Sequence, residues 1–108
     1  MTGAVVLARL VFYYYNNLDG TLPDELSGLS SLDTLGLQHN PRLHGNIPSS
    51  IGQLVKLRVV GLVNNTLHGP IPEALWQLTQ LEWLSLAFNQ LTSTISSRIG
   101  NLKKLTLL

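Results

Sequence analysis

The chain has 108 residues, 44% of them hydrophobic and only 12% charged, with a net charge of +1, which is the size and character of one globular unit and excludes a disordered chain. Seven basic residues against six acidic ones leave no surplus with which to neutralise phosphates, so no nucleic acid is expected as a partner. The absence of cysteine removes a disulfide framework, a thiolate zinc site and a cysteine nucleophile.

Leucine accounts for 24 of the residues, and such a bias toward one buried type signals a repeat. The first apolar stretch, residues 4–15, is interrupted by Arg9 and falls short of the ~20 residues that span a bilayer. Neither a signal peptide nor a membrane helix is expected there. The same stretch opens the first and least regular copy of a repeat: Val5, Ala8, Val11 and Tyr13, then Asn16, Leu18, Gly20, Leu22 and Pro23. A second register through Leu7, Leu10, Tyr13 and Tyr15 needs two residues deleted before Gly20, so the ungapped one is preferred.

The next copy runs Leu29, Leu32, Leu35, Leu37, Asn40, Leu43, Gly45, Ile47 and Pro48, with one extra residue in the turn at 40–42. The third is the most regular: Leu54, Leu57, Val60, Leu62, Asn65, Leu67, Gly69, Ile71 and Pro72. The fourth keeps Leu78, Leu81, Leu84, Leu86, Asn89, Leu91 and Ile95 but has Ser93 and Ser96 where glycine and proline are expected. Leu102, Leu105 and Leu108 carry the spacing that opens a fifth copy.

Each column has a physical reason. Alternation such as Leu35-x-Leu37 suits a short strand with one buried face, and coils stacked at the ~4.8 Å strand spacing build a parallel sheet. Asn16, Asn40, Asn65 and Asn89 point inward, where an amide offers donor and acceptor to backbone left unpaired as the coil bends, so an asparagine ladder is expected. Glycine before the Ile-Pro pair permits a positive-φ turn, and the proline fixes φ.

Residues between the buried leucines project from the sheet and form columns across the stack. These read Leu10, Thr34, Val59, Trp83; then Phe12, Gly36, Gly61, Ser85; then Tyr14, Gln38, Val63, Ala87; and, at the strand ends, Tyr15, His39, Asn64, Phe88. Aromatic residues gathered on one face mark a contact surface, because they supply large rigid area at low entropic cost. The expected partner-binding residues are Phe12, Tyr14, Tyr15, Gln38, His39, Val59, Val63, Trp83, Ser85 and Phe88. Packing of Phe12, Tyr14 and Tyr15 against a capping segment is the alternative for those three.

Arg9, Asp33, Arg58 and Glu82 alternate in sign and read as a ladder that supports register, with ligand binding as the alternative. Asp19, His44, His68 and Thr92 share another column, read as a solvated turn face, with too few ligands for zinc. No serine, histidine and acid converge, and Asp24, Glu25 and Glu73 lie in surface tails, so no catalytic, cofactor or metal residue is expected. Asn64-Asn65-Thr66 is the one N-x-[ST] sequon, with Asn64 as the acceptor for glycosylation.

The pattern LxxLxxLxLxxNxLxGxIP, in phase from Val5 to Leu108, resembles the plant-type leucine-rich repeat. The segments Gly20-Thr21-Leu22-Pro23, Gly45-Asn46-Ile47-Pro48 and Gly69-Pro70-Ile71-Pro72 separate it from other subtypes. The resemblance implies an α/β repeat solenoid, a right-handed arc with a parallel sheet on its concave face and little regular helix. Residues 1–108 are then one segment of about four complete repeats and part of a fifth, a fragment of a longer array without caps. It implies a recognition module for a protein, peptide or glycan ligand, similar to ectodomains of leucine-rich-repeat receptor-like kinases and receptor-like proteins, outside the cell or at its surface, with no direct membrane insertion by this segment. The residues leave open an intracellular, cytoplasmic scaffolding solenoid and a truncated, non-functional copy.

Overall fold

The structure, a computed structural model, describes residues 9–11, 20–92 and 95–107. In chain order its strands are β1 (Arg9–Val11), β2 (Gly20–Thr21), β3 (Thr34–Gly36), β4 (Leu43–Gly45), β5 (Val59–Gly61), β6 (Thr66–Gly69), β7 (Trp83–Ser85), β8 (Gln90–Leu91) and β9 (Thr106–Leu107). The odd-numbered strands form one parallel sheet in the order β1-β3-β5-β7-β9, and the even-numbered ones a second in the order β2-β4-β6-β8. Each coil thus lays one strand on the strand of the coil before it. Coil closure is made by 3₁₀ helices at Asp24–Gly28, Ser49–Gln53, Glu73–Gln77 and Ser97–Asn101, and among the described residues there is no α-helix.

The Ile-Pro half of the repeat dictates where those helices begin. Pro23, Pro48 and Pro72 are extended, with φ of −80°, −72° and −66°. Their carbonyls accept from the amides of Leu26, Ile51 and Leu75 at 3.0–3.1 Å. A proline fits because its φ is already set and it has no amide to satisfy. In the fourth coil Ser96 takes that place with φ −66° and adds a capping bond, its Oγ accepting from the Arg98 amide at 3.1 Å. The departure from the repeat pattern therefore preserves the bend by another means.

The core is a single column of aliphatic side chains. Leu32, Leu35, Leu54, Leu57, Val60, Leu62, Leu67, Leu78, Leu81 and Leu84 are fully buried, as the spacing requires. Trp76, in the third 3₁₀ helix, is the largest of the fully buried side chains. Strands β3, β5 and β7 pair in the register of the sequence columns: Thr34 with Val59 and Val59 with Trp83, Gly36 with Gly61 and Gly61 with Ser85.

The expected register shifts by one residue at both ends of the sheet. Arg9 lies opposite Thr34 and Leu10 opposite Leu35, so Leu10, not Val11, is in backbone register with Leu35, Val60 and Leu84, and Arg9 leaves the register of Asp33. At the other end Leu84 pairs with Leu107, not Leu108. In both places two neighbouring apolar residues satisfy the pattern equally, so backbone pairing between coils makes the choice.

The second sheet was not expected from the spacing. Gly20, Gly45 and Gly69 do take positive φ, at 115°, 85° and 81°, in the region where a side chain would clash with its own backbone. The sheet is staggered, however: Gly45 pairs with Leu67 and Gly69 with Leu91, two residues back from the equivalent position. His44 consequently opposes Thr66 and His68 opposes Gln90, so the two histidines are not cross-strand partners.

Candidate binding face

The strand ends of the first sheet are held by the asparagine ladder. Asn65 donates from Nδ2 to the carbonyls of Leu37 and Leu62, both at 2.9 Å, and its Oδ1 accepts from the Asn40 amide at 2.7 Å. Asn89 repeats the bridge to Leu62 and Leu86 at 2.8 and 3.1 Å. Asn40 donates to Leu37 and Gln38 of its own coil. Asn65 and Asn89 each satisfy backbone in two successive coils, which spaces the coils and fixes the strands between them. Asn16 lies outside the described residues.

The residue before each ladder asparagine is left-handed: φ is 60° at His39, 61° at Asn64 and 56° at Phe88. Sequence reasoning missed this feature. Asparagine tolerates that conformation, but histidine and phenylalanine at the same column gave no signal of it. Phe88 is also 77% exposed, so an aromatic ring stands in solvent on backbone that disfavours it.

Within the sheet the columns separate by size. Thr34, Gly36, Gly61 and Ser85 are buried, and Thr34 turns its hydroxyl to Asp33 Oδ1 at 2.8 Å. Ser85, expected to contact a partner, is instead part of a floor of small residues. On that floor opens a groove of about 390 Å³ lined by Gln38, Val59, Gly61, Glu82 and Trp83. Trp83 is 45% exposed, and Val59 and Gln38 are half-buried. Glycine at 61 makes the groove possible, since a Cβ there would stand 3.2 Å from the Gln38 side-chain amide.

Glu82, read in the charged ladder, also lines the groove. Arg58 Nε and Nη2 donate to its two carboxylate oxygens at 2.6 and 3.3 Å. The hydrogen bond from Arg58 holds the Glu82 carboxyl below the usual carboxylate range against the opposing effect of desolvation, while the same bond raises the Arg58 guanidinium.

Of the other expected contact residues, Val63 is half-buried in the column beside Gln38, whereas His39 and Phe88 lie at the strand ends, apart from the groove lining. Phe12, Tyr14 and Tyr15 lie outside the described residues. The serines and carboxylates of the tails tie coils together: Ser50 Oγ donates to Asp24 Oδ1 at 3.0 Å and Ser96 Oγ to Glu73 Oε2 at 3.2 Å. Among the described residues no cluster of three or more histidines or acids is placed to hold a metal ion.

A sequence model of the family described as Leucine Rich Repeat matches residues 80–102. Among solved structures, the ectodomain of the receptor kinase SOBIR1 from Arabidopsis thaliana matches with a TM-score of 0.85 at 31% identity, over 94% of this chain and 53% of that one. The chain is a leucine-rich-repeat solenoid. The ectodomain of the Arabidopsis receptor kinase HAESA, solved with an IDA peptide hormone ligand, matches this solenoid with a TM-score of 0.85 at 40% identity, over 94% of this chain and 17% of that one. A plant ice-binding protein matches with a TM-score of 0.81 at 36% identity, over 94% and 35%. The solenoid therefore spans about half the SOBIR1 ectodomain and smaller shares of the other two. Among its described residues no helix is long and apolar enough to cross a membrane.

Proposed function

We propose that this leucine-rich-repeat segment is a recognition module that holds an extended peptide, or an extended segment of a protein, across the strands of its concave sheet. The observation that carries the reading is the groove over Gly61, with Trp83 and Val59 as an apolar wall and Gln38 as a polar one. Such a combination suits a peptide: an apolar side chain seats against Trp83 and Val59, while the Gln38 amide donates to and accepts from the peptide backbone. Flanking glycine lets a ligand backbone approach closely. Phe88 and Val63 extend the contact area toward the strand ends. The segment acts by binding and not by catalysis. Its setting is extracellular, as part of a receptor-like ectodomain, in keeping with the likeness to SOBIR1 and HAESA.

The test is selection of peptides from a displayed library on the immobilised chain, followed by binding to variants. Peptides that bind the parent chain are expected to lose at least tenfold in affinity on Trp83→Ala or Gly61→Val, a change of about 1.4 kcal/mol. Val55→Ser, at an exposed position away from the groove, should leave them unchanged. Peptides whose binding is indifferent to Trp83 and Gly61 would place recognition on another face.

A further inference from the structure

The groove does not account for the sequon of the third coil. The chain has two adjacent asparagines, Asn64 and Asn65, followed by Thr66. An N-linked oligosaccharide requires a hydroxyl residue two positions after its asparagine, and that spacing selects Asn64: the residue two after Asn65 is Leu67. The fold separates the two asparagines in the same sense. Asn65 is buried, with both donors committed to the carbonyls of Leu37 and Leu62, and has no room for a sugar. Asn64 is exposed on a left-handed turn at the end of β5, and its Nδ2 donates to His39 Nδ1 at 2.9 Å. The equivalent turns read His39-Asn40-Pro41 and Phe88-Asn89-Gln90, so only the third coil joins the exposed position to the sequon.

We propose that Asn64 is the acceptor of an N-linked oligosaccharide. The inference rests on the extracellular reading above, because only a chain entering the secretory pathway meets the donor, a lipid-pyrophosphate-linked oligosaccharide. In the transfer, Asn64 Nδ2 forms a bond to the anomeric carbon of the first sugar, the bond from that carbon to the pyrophosphate oxygen breaks, and one Nδ2 proton is given up as the lipid pyrophosphate departs. The amide keeps its second proton, which can still be donated to His39. Transfer onto the unfolded chain is not obstructed by the bonds that Thr66 Oγ1 makes after folding, to the carbonyls of Pro41 and Leu43 at 3.0 and 2.9 Å. In the folded protein the sugar stands at the strand ends, one column beyond Gln38 and Val63, and closes that side of the concave face to a broad partner while leaving the groove open to a narrow one.

The experiment sends the full chain through the secretory pathway of a eukaryotic cell behind a cleavable leader, with an added sequon in a C-terminal tail as a marker of entry. Intact mass before and after removal of N-glycans is then compared between variants. Modification of Asn64 that is lost in Asn64→Gln and retained in Thr66→Ser, which keeps both the sequon and the hydroxyl, is the result expected. A marker that is glycosylated on a chain whose Asn64 is bare overturns the site. A native protein without the sugar, beside a routed chain that carries it, overturns the extracellular reading and not the competence of Asn64.

Discussion

Phe88 and Asn65 show how one position in a repeat is governed by backbone and another by buried polarity. The left-handed turn costs a residue with a Cβ roughly 1–2 kcal/mol, and asparagine tolerates it better than an aromatic. Phe88 pays this while exposing most of its ring, so Phe88→Asn is expected to raise stability by about 1 kcal/mol in urea unfolding and to weaken partner binding where the ring makes contact. Asn65 presents the reverse case. Asn65→Ala would remove one of two donors from each of the Leu37 and Leu62 carbonyls, which keep Asn40 and Asn89, and would take the Asn65 acceptor from the buried Asn40 amide; a buried group deprived of its partner costs about 1–3 kcal/mol. A loss in that range is expected, against a much smaller loss at exposed Asn64; equal losses at the two sites would contradict the ladder.

Elements in this molecule are short, and what they do depends on the next coil. The second and third 3₁₀ helices meet where Gly52 packs on Ala74: a Cβ on Gly52 would lie 2.7 Å from the Ala74 Cβ and 3.1 Å from its carbonyl oxygen. Gly52→Ala must push the coils apart and should destabilise by about 1–3 kcal/mol, whereas Gly100→Ala, at the equivalent place, and Gly28→Ala, one position further along its helix, both with open space, should not. Thermal unfolding of the three variants side by side distinguishes packing from helix propensity. Between strands, the Arg58–Glu82 pair links successive coils through exposed side chains. The Glu82 carboxyl is held low by its bond to Arg58, so its contribution is complete above the ordinary glutamate range and is lost as pH falls through the lowered folded-state value. The difference in Tm between the parent chain and Glu82→Gln should shrink on acidification from neutrality and also in added salt, since the pair is exposed and screened.

At the scale of the whole molecule, contacts run between neighbouring coils, and stability is expected to behave as a sum over coils and their interfaces. Leu54 and Leu78 begin equivalent coils 24 residues apart, so excision of residues 54–77 should leave a continuous solenoid. A retained far-UV spectrum with a lower denaturation midpoint and a smaller m value is the expected result; collapse to an unfolded chain would mean that the third coil, and not the array, organises the fold. The same excision removes Val59 and Gly61 and with them the groove, so peptides that depend on Trp83 should no longer bind.

Much of this architecture is legible in the sequence because a repeat states the same local rule several times. Columns of leucine at fixed spacing place the core, inward asparagines place the ladder, and glycine before Ile-Pro places the positive-φ turn, each being a property of one coil and its immediate neighbours. The groove was legible in part: Gln38, Val59 and Trp83 follow from the alternation, while Ser85 sinks into the floor and Glu82 and Gly61 join the lining only once three strands lie side by side. Tertiary structure alone decided the register of β1 and β9, the stagger of the second sheet and the left-handed turns at His39, Asn64 and Phe88. The reason is common to all of these. Where two adjacent apolar residues satisfy a column, or where the side chain is indifferent to the turn, the sequence pattern is degenerate, and hydrogen bonds between coils select one arrangement.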